Sequence, residues 1–294
     1  MPRPVKIGVI GAGSATFSLG LVKDLCLTQN LAGSHVSFMD VDADRLASVT
    51  QMAERYTDEI GSDLSFEQTT SRGEALEDAD FVINTAAVQS HYHQADMRDV
   101  HARHGYYYRG PGLGSFYNFN LMLDVARDME RICPDAWLIQ SGNPVFDGCT
   151  LMTRETDIKV CGLCHGHFGY YMIAKVLGID VSRIDFQAPG VNHSIWMTHF
   201  MCDGEDAYPL IDRWIEEEGE KYWESHIAEG THDIQMSRGA VHQYRLYGRF
   251  PIGDSPRSGG WWYHTDIETK KWWFGEPWGG PDTHLARPLH VKKL

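Results

Sequence analysis

Residues 6–14 read Lys-Ile-Gly-Val-Ile-Gly-Ala-Gly-Ser, and this stretch decides the fold. Lys6 to Ile10 is a short apolar run of the kind that is buried on both faces of a parallel sheet. Gly11 and Gly13 follow at once, and from Phe17 to Leu27 apolar residues recur at helical spacing. The pattern predicts strand, glycine turn and helix. A second strand, Val36 to Met39, ends at Asp40, close to the offset at which a carboxylate meets a ribose in dinucleotide-binding βαβ units.

Outward from that unit, helices are expected at about 42–57 and 119–132, with short strands at 64–66, 81–84 and 136–140. Alternating strands and helices imply a parallel sheet. An apolar segment from Ile158 to Cys164 turns at His165-Gly166 and continues as a helix to Leu177. Beyond it the character changes: strands at 184–202, including one run from Ala188 to Met197, then amphipathic helices at 206–228 and 233–247. The expected architecture is α/β, a Rossmann-like doubly wound parallel sheet over residues 1–160, followed by a smaller α+β substrate domain over 161–294. Trp261, Trp262, Trp272, Trp273 and Trp278 crowd into a late segment, as core or as an exposed patch.

The chain has 294 residues, 43% of them hydrophobic and 22% charged, which is enough for a sizeable core. Its 26 Lys and Arg against 40 Asp and Glu give a net charge of −14, a field that repels polyphosphate and anionic lipid. Neither nucleic acid nor a membrane is an expected partner. No secretion signal or run of about 18 apolar residues is visible, so a cytoplasmic protein is expected. The six cysteines (26, 133, 149, 161, 164 and 202) are too sparse for a disulfide scaffold.

Gly11 allows a tight turn, Gly13 lets the backbone approach a pyrophosphate, and the following helix N-terminus, from Ser14, presents free N–H groups. A glycine turn that merely joins strand to helix is the alternative. Thr16 stands where a third glycine would be. Asp40 suits the ribose 2′-OH of NAD and would repel the 2′-phosphate of NADP, with Arg45 nearby. Cys161-Gly-Leu-Cys164-His165 has the spacing of a haem attachment or half a zinc site, but no export signal and no second ligand pair accompany it. Alternation makes Cys161 a small core residue and leaves Cys164 at a strand-to-helix junction, where helix N–H groups would favour a thiolate ligand or nucleophile. His193 falls in the polar break of an apolar strand, either a core hydrogen-bonding residue or a ligand. Asn143-Pro144 follows a strand at the carboxyl end of the parallel sheet, where α/β folds place ligands, although turn chemistry reads equally well. Asp254 and Arg257 stand three apart in a glycine-containing loop, as an N-cap and surface ion pair or as chemistry.

Together these segments resemble glycoside hydrolase family 4, the NAD- and divalent-metal-dependent glycosidases. The resemblance runs through Ile7-Gly-Val-Ile-Gly-Ala-Gly-Ser14, Met39-Asp-Val-Asp42, Phe81-Val-Ile-Asn-Thr85, Asn143-Pro-Val145, Gly162-Leu-Cys-His-Gly166, Gly190-Val-Asn-His-Ser-Ile-Trp196 and Pro251-Ile-Gly-Asp254. It implies that Gly11, Gly13, Ser14, Asp40 and Asn84 bind NAD. It implies further that Cys164 and His193 ligate Mn²⁺ or another divalent metal, that Asn143, His165 and Arg257 contact the sugar, and that Asp254 is the base. The implied reaction is hydrolysis of an α-glycoside by C3 oxidation, C2 deprotonation, elimination and water addition, one of the exceptions to two-carboxylate chemistry. The tetrad Cys164-His-Gly-His167 resembles the α-glucuronidase variant, with an α-glucoside as the other substrate; a uronate would want Arg109, Arg154 or Arg257. The resemblance also implies a homo-oligomer. Two departures stand out: no acidic residue follows Gly105-Tyr-Tyr-Tyr-Arg-Gly110, and the chain ends sooner than family members do. The alternatives are an NAD-dependent sugar or hydroxy-acid dehydrogenase, and a shortened NAD-binding member without catalysis.

Overall fold

The computed structural model describes residues 3–88, 96–97, 100–107, 115–191, 193–225 and 235–275. The chain forms two compact units: Met1–Gln89 with Ser115–Leu163, and Ser90–Gly114 with Cys164–Leu294. The division is therefore not linear, because a segment between two halves of the first unit groups with the second.

The first unit alternates β1 Lys6–Ile10, α1 Ala15–Leu27, β2 His35–Met39, α2 Ala43–Ile60, β3 Ser65–Thr69, α3 Arg72–Leu76, β4 Phe81–Asn84, α4 Ser115–Ile132, β5 Trp137–Gln140, α5 Val145–Glu155 and β6 Lys159–Gly162. The six strands form one parallel sheet in the order β3-β2-β1-β4-β5-β6. This is the expected Rossmann-like sheet. Side-chain alternation along β1 sends Ile7 and Val9 to one face, with Val22 and Leu25 of α1 and Leu46, Val49 and Ala53 of α2. Ile10 faces the other side, among Leu76, Met122, Val125, Ala126, Met129 and Met152 from α3, α4 and α5. Gly8 is required there, since a Cβ would stand 2.7 Å from the carbonyl oxygen of Ala75. The strand order reverses between β1 and β4, so the loops that leave their carboxyl ends flank the topological switch point of the sheet.

The second unit is α+β. Its strands are β7 Ile184–Gln187, β8 Gly190–Val191, β9 Ser194–Met197, β10 His199–Cys202, β11 Glu205–Asp206 and β12 Phe250–Ile252. They make two antiparallel sheets, β11-β10-β7 and β12-β9-β8. Its described helices include α6 Gly169–Leu177, α7 Tyr208–Glu217, α8 Gly219–Ser225, α9 Arg238–Tyr247, α10 Ser255–Ser258 and α11 Ile267–Phe274. Ile173, Met197, Phe200, Ile211, Trp214, Val241, Phe250 and Ile252 share one core.

The sequence reads Ala188 to Met197 as one strand; the structure folds it into a hairpin. Gly190 pairs with Ile195 and Val191 with Ser194, which leaves a two-residue connection in which His193 has φ +60°. A two-residue antiparallel turn needs positive φ, and a polar break supplies it more readily than an apolar residue. The expectation for Cys161 is likewise corrected. It is exposed, because β6 is the edge strand and most of its residues lack a covering layer. Among the late tryptophans, Trp261, Trp262 and Trp272 are exposed, Trp273 packs on Tyr263, and Trp278 lies outside the described residues.

Candidate cofactor cradle and active-site loops

In the first unit the glycine turn is built as the sequence demands. Gly11 has φ +91°, and a Cβ there would lie 2.6 Å from the backbone nitrogen and Cα of Ala86. The N–H groups of Gly11 and Ala12 both bond to the Met39 carbonyl, at 2.9 and 3.0 Å. The Gly13 N–H donates to Asp40 Oδ2 at 2.8 Å, while Asp40 Oδ1 accepts from the Asp42 N–H at 3.1 Å. Asp40 thus ties the turn to the end of β2, and a Cβ on Gly13 would come within 2.8 Å of its carboxylate. Ser14 stands at the N-cap of α1 in extended conformation with no side-chain cap bond. The Phe17 N–H bonds to the Ser14 carbonyl at 3.1 Å, and without a side-chain cap the N–H groups before it and the positive dipole end suit an anion. Glycine turn, uncapped helix and strand-end carboxylate are the parts a dinucleotide needs, and all fit one.

Asn84 ends β4, and Asn143 lies in the loop that follows β5. Asn84 is fully buried. Its Nδ2 donates to Gln140 Oε1 at 2.9 Å and its Oδ1 accepts from the Ala86 N–H at 3.2 Å. It therefore shapes the loop after β4, as a buried strand-end amide must find partners within the protein. Asn143 is exposed, and its carbonyl accepts from Asn118 Nδ2 at 3.0 Å. The same Asn118 accepts from the Val88 N–H at 2.9 Å, so one buried amide fixes the loops after β4 and β5. Arg154 lies in the last turn of α5, about 14 Å from its start at 1.5 Å per residue, and so far from the loop that carries Asn143. Arg109 lies outside the described residues.

In the second unit three loops converge. Cys164 precedes a short 3₁₀ turn, His165–Phe168, with no side-chain cap bond, so helix N–H groups do not hold its sulfur as the sequence suggested. His193 is in the β8–β9 connection, and Asp254 follows β12. Cys164 Sγ lies 4.0 Å from His193 Nε2, which lies 3.2 Å from Asp254 Oδ2. The other oxygen of Asp254, Oδ1, accepts from Arg257 Nη2. Asp254 is 4% exposed. Arg257 is thereby a partner of the predicted base, three residues on in the first turn of α10, with its guanidinium on that carboxylate. His165 opens the 3₁₀ turn, and its side chain lies outside the described residues.

A cation bonded to sulfur at about 2.3 Å and imidazole nitrogen at about 2.1 Å holds the two donors roughly 3 to 4 Å apart, so Cys164 and His193 fit one ion. Among the described residues, no group of three or more His, Cys, Asp or Glu side chains could hold a metal ion. Cys164 and His193 are two such donors that the structure brings together here. A thiolate with imidazole is a soft set for Mn²⁺, and softer ions should compete.

Buried polar side chains brace these loops, and sequence reasoning missed them. Ser255 Oγ accepts from the Ile195 N–H at 2.8 Å, joining the hairpin that carries His193 to the residue after Asp254. Gln243 Nε2 donates to the Pro256 carbonyl at 2.7 Å, and His264 Nε2 bonds to the Arg257 carbonyl at 2.8 Å. Burial pushes the His264 imidazole down to about 4, so the ring is neutral and Nε2 carries the proton. No spacing marks such residues; the one sequence signal is Gly253, whose φ of +69° brings its backbone onto Gly166.

The profile described as Family 4 glycosyl hydrolase matches residues 6–179, and that of the Family 4 glycosyl hydrolase C-terminal domain matches residues 188–278. An α-galactosidase of Bacillus subtilis is 32% identical over 71% of this chain and 50% of its own length. The chain spans about half the length of the curated relatives it matches. The crystal structure of lplD from Bacillus subtilis superposes with a TM-score of 0.76 at 23% identity, covering 99% of this chain and 70% of that one. A 6-phospho-alpha-glucosidase from gut microorganisms, solved in complex with NAD and Mn²⁺, gives 0.72 at 18% identity over 99% of this chain and 69% of that one. At those identities the structural likeness is one of fold, whereas the two sequence profiles span both units, and the chain belongs to family 4 of the glycosyl hydrolases.

Proposed function

We propose that this chain is an NAD- and divalent-metal-dependent glycosidase that cleaves α-glycosides by oxidation at C3 and elimination across C2 and C1. The observation that carries the reading is the convergence of Cys164, His193 and Asp254, in which the thiol lies 4.0 Å from the imidazole and the imidazole 3.2 Å from a buried carboxylate. NAD, when bound, supplies the hydride acceptor and later the donor for C3. A divalent metal, when bound by Cys164 and His193, supplies a Lewis acid for the sugar oxygens.

The remaining work falls to the chain's own residues. Gly11 and Gly13 let the backbone close on a pyrophosphate, the first turn of α1 offers its N–H groups, and Asp40 offers acceptors to ribose hydroxyls. Asp254 takes the C2 proton. Its charge is compensated by Arg257 on one oxygen and faces His193 on the other, which orients the carboxylate while it waits. Asn143 offers an exposed carboxamide to sugar hydroxyls.

An α-glucuronide or an α-glucoside is the substrate class read from Cys164-His-Gly-His167; the α-galactosidase relative adds galacto-configured sugars. Arg257 already pairs with Asp254, so a uronate carboxylate would share that guanidinium or meet another cation. The six cysteines are too sparse for a disulfide scaffold, which supports a reducing, cytoplasmic setting. No described helix is long and apolar enough to cross a membrane. The reading carries a homo-oligomeric assembly with it.

The test is hydrolysis of chromogenic α-glucuronide, α-glucoside, α-galactoside and α-galacturonide substrates, with and without Mn²⁺ and NAD⁺. Cleavage that requires both additives, without net NADH, is the expected result. Cleavage indifferent to both, or stoichiometric NADH without cleavage, would overturn it, the latter in favour of a dehydrogenase.

A further inference from the structure

Gln235 is fully buried and spends both ends of its carboxamide on one residue. Its Nε2 donates to the Gly253 carbonyl at 2.6 Å, and its Oε1 accepts from the Gly253 N–H at 2.8 Å. The opposite side of Gly253 is closed by Gly166, whose Cα would stand 2.5 Å from a Cβ on Gly253. The amide is itself held in place: Gly169, the first residue of α6, leaves it so little room that a Cβ there would lie 2.5 Å from Oε1. Gly253 has φ +69° and immediately precedes Asp254.

We propose that Gln235 is a positioning residue for Asp254: by fixing both polar groups of Gly253 it sets the direction in which the Asp254 carboxylate leaves the backbone toward His193. A glycine at positive φ has no side chain to oppose rotation of the adjoining peptides, so its orientation depends on what its N–H and C=O bond to. A carboxamide presents one donor and one acceptor side by side without any change of protonation. Glu would set an oxygen against the Gly253 carbonyl, and an apolar residue would strand two buried backbone groups. The consequence for turnover rests on the reading of Asp254 as base; the placement of Asp254 does not.

The test uses the full chain, metal-free, with ¹⁵N-labelled histidine. The Nε2 resonance of His193 reports the Asp254 contact, and Asp254→Ala gives its position without that contact. Gln235→Met should move the resonance most of the way to the Asp254→Ala position. Gln235→Glu, nearly isosteric, guards against failure of the first variant to fold and should move it part of the way. An unshifted His193 resonance in a folded variant would overturn the proposal. On any substrate the parent cleaves, Gln235→Met should lower kcat about 10- to 100-fold with KM within about twofold, and should raise the isotope effect of deuterium at C2. An unchanged isotope effect would also overturn it, because a loss of folded fraction alone leaves that ratio untouched. A parent that cleaves nothing would refute the glycosidase reading, and the His193 resonance would still decide where Gln235 holds Asp254.

Discussion

His193 Nε2 stands 3.2 Å from Asp254 Oδ2 and 4.0 Å from Cys164 Sγ, so one nitrogen faces both the candidate base and the candidate thiolate ligand. A carboxylate only accepts, so the bond to Asp254 needs a proton on Nε2; a metal needs the lone pair of the same atom. Metal binding must therefore strip that proton and release Asp254 from His193. With diamagnetic Zn²⁺ in place of Mn²⁺, the Nε2–H signal of His193 should vanish at saturation. Its persistence would mean that the ion binds elsewhere.

Cys164 is the second half of that pair. Cys164→Ser replaces a soft donor with a hard, weakly acidic one. Affinity for Zn²⁺, followed by calorimetry, should fall by more than about tenfold, and the fall should be smaller for Mn²⁺, which tolerates oxygen. Equal losses for both ions would argue that the sulfur is not a ligand.

Asp254→Asn keeps the shape of the side chain and its place beside Arg257 but cannot take a proton. Turnover should fall about 10²- to 10⁴-fold with little change in KM, and exchange of the C2 hydrogen with solvent D₂O should stop. Retained exchange would assign the base to another residue.

Gly13→Ala sets a methyl about where a Cβ would meet the Asp40 carboxylate at 2.8 Å. NAD⁺ affinity, measured by calorimetry, should drop by more than about tenfold while the fold survives, because Gly13 does not sit at positive φ. Gly11→Ala should act differently, costing about 1 to 3 kcal/mol of stability, since Gly11 has φ +91° and no room beside Ala86.

His264 makes stability depend on acid. Its imidazole sits near 4 when folded against the ordinary histidine value of 6.5, since burial opposes the charge. The unfolded chain therefore binds more protons between those values. The contribution is intact above pH 6.5 and lost as pH falls toward 4, amounting to about 2 kcal/mol by pH 5 and about 3 kcal/mol at most. His264→Gln retains a donor for the Arg257 carbonyl and cannot charge, so its melting temperature should vary less between pH 7 and pH 5 than the parent's. Identical pH profiles would remove His264 as the cause.

Local pattern was sufficient for the first unit. A continuous apolar β1, paired glycines and a strand-end Asp40 are features of adjacent residues, and the physics that uses them acts within a turn or two of the chain. The same reasoning failed at His193, because a polar break in a strand and a hairpin turn look alike until pairing partners are known. It failed at Cys161, since a strand's place at the sheet edge is settled by what the rest of the chain leaves uncovered.

The sequence alone determined which side chains could do chemistry: Cys164, His193 and Asp254 are reactive types in motifs, and each was legible one at a time. Only the tertiary structure decided which of them meet, that Arg257 serves Asp254, that Asn84 is an internal brace, and that Gln235, Ser255, Gln243 and His264 hold the loops. The reason is that a buried hydrogen bond depends on the distance between groups far apart in the chain. That distance is fixed only when the core has packed and every buried donor has had to find an acceptor.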